Sequence, residues 1–156
     1  MCDYCGCRDE PPLDELMNEH DRIMGLVRHI VDDPAAVDAD GTPLRAELRR
    51  LLVMHATKEE RALYPLLIDY DELDEHTRAG YEREHEELLA RVDSGRFGVE
   101  DSNVLAAHIQ AEELELFPAA RFAFDDDAWN RMTAVSHDLL HEFGIEHGHA
   151  AQPEIA

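Results

Sequence analysis

The eleven residues His55 to Pro65, HATKEERALYP, return at His108 to Pro118 as HIQAEELELFP. The shared pattern is H-x-x-x-E-E-x-x-L-[YF]-P, with every offset the same. In both copies the His and the first Glu fall on the apolar stripe of a helix. His55 and Glu59 share a face with Leu51, Leu52, Ala62 and Leu66, and His108 and Glu112 share one with Leu105, Leu116 and Ala119. Residues four apart on a helix lie about 40° apart around its axis, so each pair points the same way from successive turns. An unpaired imidazole or carboxylate buried there costs several kcal/mol, at about the level of a lost buried ion-pair partner. The fold must therefore satisfy four buried polar groups at matched positions.

A second repeat accompanies the first. EHDRIMGLV from Glu19 resembles EHEELLARV from Glu84, which places His20 and His85 on their own apolar stripes. The chain reads as two copies of one helix pair, each supplying a lone His and then an H-x-x-x-E. A single His on an apolar face is usually a hydrogen-bonded core histidine, but this duplicated set points to metal. His20, His55, Glu59, His85, His108 and Glu112 are the expected ligands of two ions. His20 and His55 would sit on one ion, His85 and His108 on the other, with Glu59 and Glu112 bridging. That leaves open positions for a bridging oxo or hydroxo group and a small ligand. Imidazole with bridging carboxylate suits iron best, with manganese or zinc as alternatives.

Helical period dominates the rest of the 156 residues, and no segment shows sustained β-type alternation. Helices are expected over about Leu13–Asp33, Leu44–Ile68, Asp71–Asp93 and Asn103–Phe122, with a further one starting near DDDAW. Thr42 reads as the N-cap of the second, with Pro43 at its first position. Pro65 and Pro118 fall late in their helices, where proline kinks or ends a helix. The expected architecture is all-α: an antiparallel four-helix bundle with an internal two-fold repeat of helix pairs, and an extra C-terminal helix. Residues 1–12 read as a Cys-rich tail, 13–123 as the bundle, and 124–156 as the last helix and a His-rich tail.

In these residues the chain resembles the hemerythrin-like, HHE cation-binding family, over roughly residues 13 to 123. The resemblance implies a four-helix bundle around a non-haem di-iron centre ligated by the six residues named above. Oxygen-carrying hemerythrins have an H-x-x-x-H pair on the third helix and a final Asp five residues after the last His. Here Leu89 stands four after His85, and Glu112 only four after His108. One imidazole is missing, which leaves an extra open position on one iron. This favours reaction with peroxide or nitric oxide, or redox sensing, over reversible oxygen carriage. Tyr81, one turn before His85, is expected as a replacement phenolate ligand or as a hydrogen-bond donor to a metal-bound oxygen; the other reading is an ordinary core tyrosine.

Three functions follow as expectations: an enzyme consuming peroxide or nitric oxide, a protein that binds or senses O2, nitric oxide or redox state, and, least supported, an iron store. The formal net charge of −22 argues against nucleic-acid and anionic-lipid partners. There is no run of 18 apolar residues and no secretory pattern at the N-terminus, so a cytoplasmic protein is expected. Cys2, Cys5 and Cys7 form a CxxCxC run that suits a secondary thiol site, for zinc, copper or disulfide cycling, or a frayed terminus. His137 and His141, one turn apart, point away from the apolar face of the last helix, and His29 and His76 also read as surface.

Overall fold

The computed structural model describes residues 6–144, and among them the chain is all-helical, with five helices and no β-strand. A short 3₁₀ turn, Cys7–Asp9, leads into α1, Pro11–Asp32. Next comes α2, one continuous rod of three stretches: α-helical Leu44–Lys58, π-helical Glu59–Leu63 and α-helical Tyr64–Asp69. It is followed by α3, Glu75–Asp93. The rod α4 repeats the pattern of α2, with α-helical Val99–Ala111, π-helical Glu112–Leu116 and α-helical Phe117–Ala123. The last helix, α5, is Asp126–Glu142.

The helix ends have local causes. Prolines 11 and 12 open α1, where their missing N–H groups leave no bond unmade. The Asp74 side chain accepts from the backbone N–H groups of His76 and Thr77, and so starts α3 later than the apolar pattern suggests. Asp71, just upstream, has φ 59°, outside the helical region. The Asp101 carboxylate accepts the Gly98 N–H at 2.9 Å, which draws the start of α4 back to Val99. Asp125 caps α5 through the Ala128 N–H. Thr42 is not the cap of α2; the helix begins at Leu44 with Pro43 in the cap position.

Neither Pro65 nor Pro118 ends its helix. Each is the second residue beyond a π-helical stretch, where the ladder returns from i→i+5 to i→i+4 bonding. The Tyr64 N–H donates to the Glu59 carbonyl, and the Phe117 N–H to that of Glu112. A residue without an N–H sits at the change of register, where a bond is already being skipped.

The packing closes a ring, α1 on α2, α2 on α3, α3 on α4 and α4 on α1, and α5 lies along α1 and α2. Two apolar clusters form the core. One gathers Leu13, Leu16, Met17, Leu63, Leu66, Tyr81, Leu116 and Phe117, with Ala128 and Met132 of α5 against it. The other gathers Ile23, Val27, Ile30, Leu48, Leu51, Leu52, Leu88, Val92, Leu105 and Ile109. Along the chain, α1 and α3 pass from the first cluster to the second, and α2 and α4 pass back. Each rod crosses a polar layer between the clusters, and that layer holds the buried histidines and glutamates. No described helix is long and apolar enough to cross a membrane.

Candidate metal centre

All six residues singled out by the repeat meet in this layer. His20, His55, His85 and His108 are buried, and Glu59 and Glu112 are 0 % exposed. They form two overlapping groups that could hold a metal ion: His20, His55, Glu59 and Glu112, and Glu59, His85, His108 and Glu112. The two carboxylates belong to both groups, each with one oxygen on either side. Glu59 Oε1 lies 3.2 Å from His55 Nε2, and its Oε2 lies 3.4 Å from His85 Nε2. Glu112 Oε2 lies 3.3 Å from His20 Nε2, and its Oε1 lies 3.3 Å from His108 Nε2.

The far side of every imidazole is held by another glutamate. His20 Nδ1 faces Glu113 at 3.0 Å, His55 Nδ1 faces Glu19 at 2.9 Å, His85 Nδ1 faces Glu60 at 2.8 Å and His108 Nδ1 faces Glu84 at 2.6 Å. The clamps run around the ring of helices. A glutamate of α1 holds the histidine of α2, α2 holds α3, α3 holds α4, and α4 holds α1. A carboxylate accepts only, so each Nδ1 carries the proton and each Nε2 presents a lone pair inward. Those lone pairs face each other: His20 and His55 Nε2 atoms are 2.9 Å apart, as are those of His85 and His108. Two bare nitrogens at that distance need a cation between or beside them. Glu59 Oε1 and Glu112 Oε2 are likewise buried with no hydrogen-bond partner. The donor set therefore fits metal ions, and the unsatisfied atoms are the ones that would ligate.

The electrostatics agree. Burial pulls the His55 imidazole down, but Glu59 and Glu19 outweigh it and push it up to about 10. Burial likewise opposes the charged form of His85, and Glu59 and Glu60 carry it up to about 9. His20 and His108 are also raised, by Glu112 and by Glu113 and Glu84 respectively, against burial. Burial raises the Glu112 carboxyl, yet His108 and His20 hold it well below the ordinary carboxylate range. The layer is built to hold positive charge, and in the metal-free protein protons supply it.

Tyr64 also belongs to the site, and the apolar pattern did not single it out. Its hydroxyl donates to Glu112 Oε1 at 2.7 Å and lies 3.4 Å from Glu59 Oε2. Both oxygens are on the His85/His108 side. The π-helical stretch explains the placement. Five residues on from Glu59, an α-helix would have turned Tyr64 about 140° away, whereas i→i+5 bonding brings it back over Glu59. Phe117 stands in the same relation to Glu112. The Phe117 ring stacks on His20, with centroids 5.6 Å apart and planes 4° apart, and Tyr64 stacks on His85 at 6.1 Å and 12°. The signal was the [YF] of the repeat. The roles of Glu19, Glu60, Glu84 and Glu113 were signalled by the repeated EH and EE dipeptides.

Tyr81 packs edge-on to His108, with ring centroids 5.5 Å apart, and 5.7 Å from Tyr64. Burial and the Glu112 charge push its hydroxyl up to about 12. Leu89 lines a small cavity against the four histidines. That cavity, about 10 Å³, is otherwise walled by Ile23, Leu52, Ala56, Leu88, Leu105 and Ile109 and has room for one water-sized molecule. Cys7 is buried and disulfide-bonded, and Cys2 and Cys5 lie outside the described residues. His29, His76, His137 and His141 are exposed, and the His137 and His141 rings lie 4.7 Å apart. No protein-family model, curated protein or solved structure matches the chain.

Proposed function

We propose that the chain is a hemerythrin-like di-iron protein that binds and reacts with small oxidants: peroxide, nitric oxide or O2. In this reading the ring of α1 to α4 is an antiparallel four-helix bundle with α5 packed outside it. His20 and His55 hold one iron, His85 and His108 the other, and Glu59 and Glu112 bridge. The observation that carries the reading is the placement of each buried carboxylate, one oxygen toward each histidine pair. A hydrogen-bonded core would have needed no such sharing.

When bound, an iron pair would supply electrons and open coordination positions for an oxidant. The chain's own residues do the rest. Glu19, Glu60, Glu84 and Glu113 fix the four imidazoles in one tautomer. The apolar wall from Ile23 to Ile109 excludes bulk water and leaves room for one water-sized molecule beside the histidines. The Tyr64 oxygen offers a further donor on the His85/His108 side, the role that the sequence assigned to Tyr81. The closed, apolar character of the cavity also favours a second reading, binding or sensing of O2 or nitric oxide without turnover.

Stopped-flow spectroscopy of the reduced, iron-loaded protein against O2, peroxide and nitric oxide separates the two. Oxidation of the iron pair with stoichiometric loss of peroxide or nitric oxide, renewed when a chemical reductant is added, supports the reactive reading. An O2 adduct that releases on degassing, with no consumption of the others, supports binding alone. Inertness to all three contradicts both.

A further inference from the structure

The repeat is not symmetric around the site. Lys58, three residues after His55, is 4 % exposed and bonds Glu15 and Glu19. Glu19 thus shares its two oxygens between the Lys58 ammonium and His55 Nδ1. Glu15 in turn accepts from the Ser136 hydroxyl of α5 at 3.0 Å, so α5 closes over the network. In the second half, the counterpart of Lys58 is Ala111 and that of Glu15 is Gly80. Glu84, the clamp on His108, has a side chain 48 % exposed and no ammonium beside it. The other asymmetry is Tyr64 against Phe117: a hydroxyl reaches the carboxylate oxygens of the His85/His108 side, and an apolar ring covers His20.

We infer that the two metal positions are unequal, and that the buried Lys58 makes the His20/His55 position the weaker, exchangeable one. This rests on the di-metal reading above. The Lys58 ammonium, bonded to Glu19 behind His55, offsets carboxylate charge that would attract a cation at this position. It also draws charge from Glu19 and so weakens His55 as a donor, since the carboxylate behind a ligating imidazole raises its basicity. The His85/His108 position carries no such charge, and its clamps Glu60 and Glu84 are free to strengthen their imidazoles.

The test is an anaerobic titration of ferrous ion into the metal-free full-length chain, followed by calorimetry. The wild type is expected to take up two equivalents in two steps at least tenfold apart in affinity. The tighter step should survive in His55→Ala and vanish in His85→Ala. In Lys58→Met the weaker step should tighten about tenfold or more, and Lys58→Arg, which keeps the charge, should restore two separate steps. Thermal melting of each metal-free variant shows whether it is folded. Two equivalents with equal affinity in the wild type, or an unchanged weaker step in a folded Lys58→Met, overturns the inference and leaves the di-metal reading standing. Failure to bind two equivalents at all overturns that reading itself.

Discussion

At the scale of single residues, the centre depends on which atoms are left without partners. Glu59 Oε1, Glu112 Oε2 and four inward Nε2 atoms have no satisfactory protein donor. Tyr64 is the one hydroxyl that reaches these carboxylates among the described residues. Burial, then Glu112 and Glu59, raise its pKa well above the usual tyrosine value, so it is a neutral phenol in the metal-free protein. A ferric ion at the His85/His108 position should ionise it and produce a visible charge-transfer band. Tyr64→Phe is expected to abolish that band with most of the iron retained, and Tyr81→Phe to leave it. The reverse result would return the role to Tyr81.

The histidines also set a pH dependence. His55 and His85 titrate near 10 and 9 in the fold against an ordinary value of 6.5. A raised histidine pKa means that the folded state binds protons more tightly than the unfolded chain. The stabilisation is full below about pH 6.5 and is lost as pH rises through 9 to 10. Metal-free protein should therefore melt at progressively lower temperature between pH 7 and pH 10. Iron-loaded protein should not, because metal has displaced those protons. A metal-free melting temperature flat across that range would contradict the charge state described here.

At the scale of helices, α2 and α4 each contain one turn of π-helix, and that turn does structural work for the site. An inserted residue is accommodated there, so removing it should keep both flanks in phase. Deleting the exposed Arg61, inside the π stretch, should retain the metal site. Its cost should be about 3 kcal/mol or more, as Pro65 meets an α-helical carbonyl. Deleting the equally exposed Arg50, in the α-helical part, turns one flank by about 100° and should destroy metal binding. Metal content and thermal denaturation of the two deletions check this, and similar behaviour in both would show that the π turn has no such role.

The π turns also separate what periodicity reveals from what it hides. The stripes of α1 to α4 and the six polar residues on them were legible, because 3.6-residue periodicity exposes any polar residue set among apolar ones. Tyr64 was not, because the same periodicity places it off the face of Glu59, and only the change to i→i+5 bonding brings it back. The starts of α3 and α4 were misplaced because Asp74 and Asp101 act through their side chains, which an apolar stripe does not register. The repeated EH and EE dipeptides mark Glu19, Glu60, Glu84 and Glu113, but which imidazole each one clamps depends on the neighbouring helix.

At the scale of the whole molecule, two apolar clusters enclose a layer of four histidines and six glutamates, with Lys58 at its edge. With neutral imidazoles such a layer is strongly anionic, and a core cannot hold that charge uncompensated. Most of the remaining acidic residues are at the surface, where the net charge of −22 makes molecules repel one another. The central claim is that the compensating charge is a pair of metal ions shared by Glu59 and Glu112. The most direct measurement is the iron content of the purified, full-length protein, wild type beside a Glu59→Ala, Glu112→Ala double variant. The account predicts close to two iron ions per chain in the wild type and near-complete loss in the double variant. Two ions retained in that variant, or none bound by a wild type given iron, would contradict it.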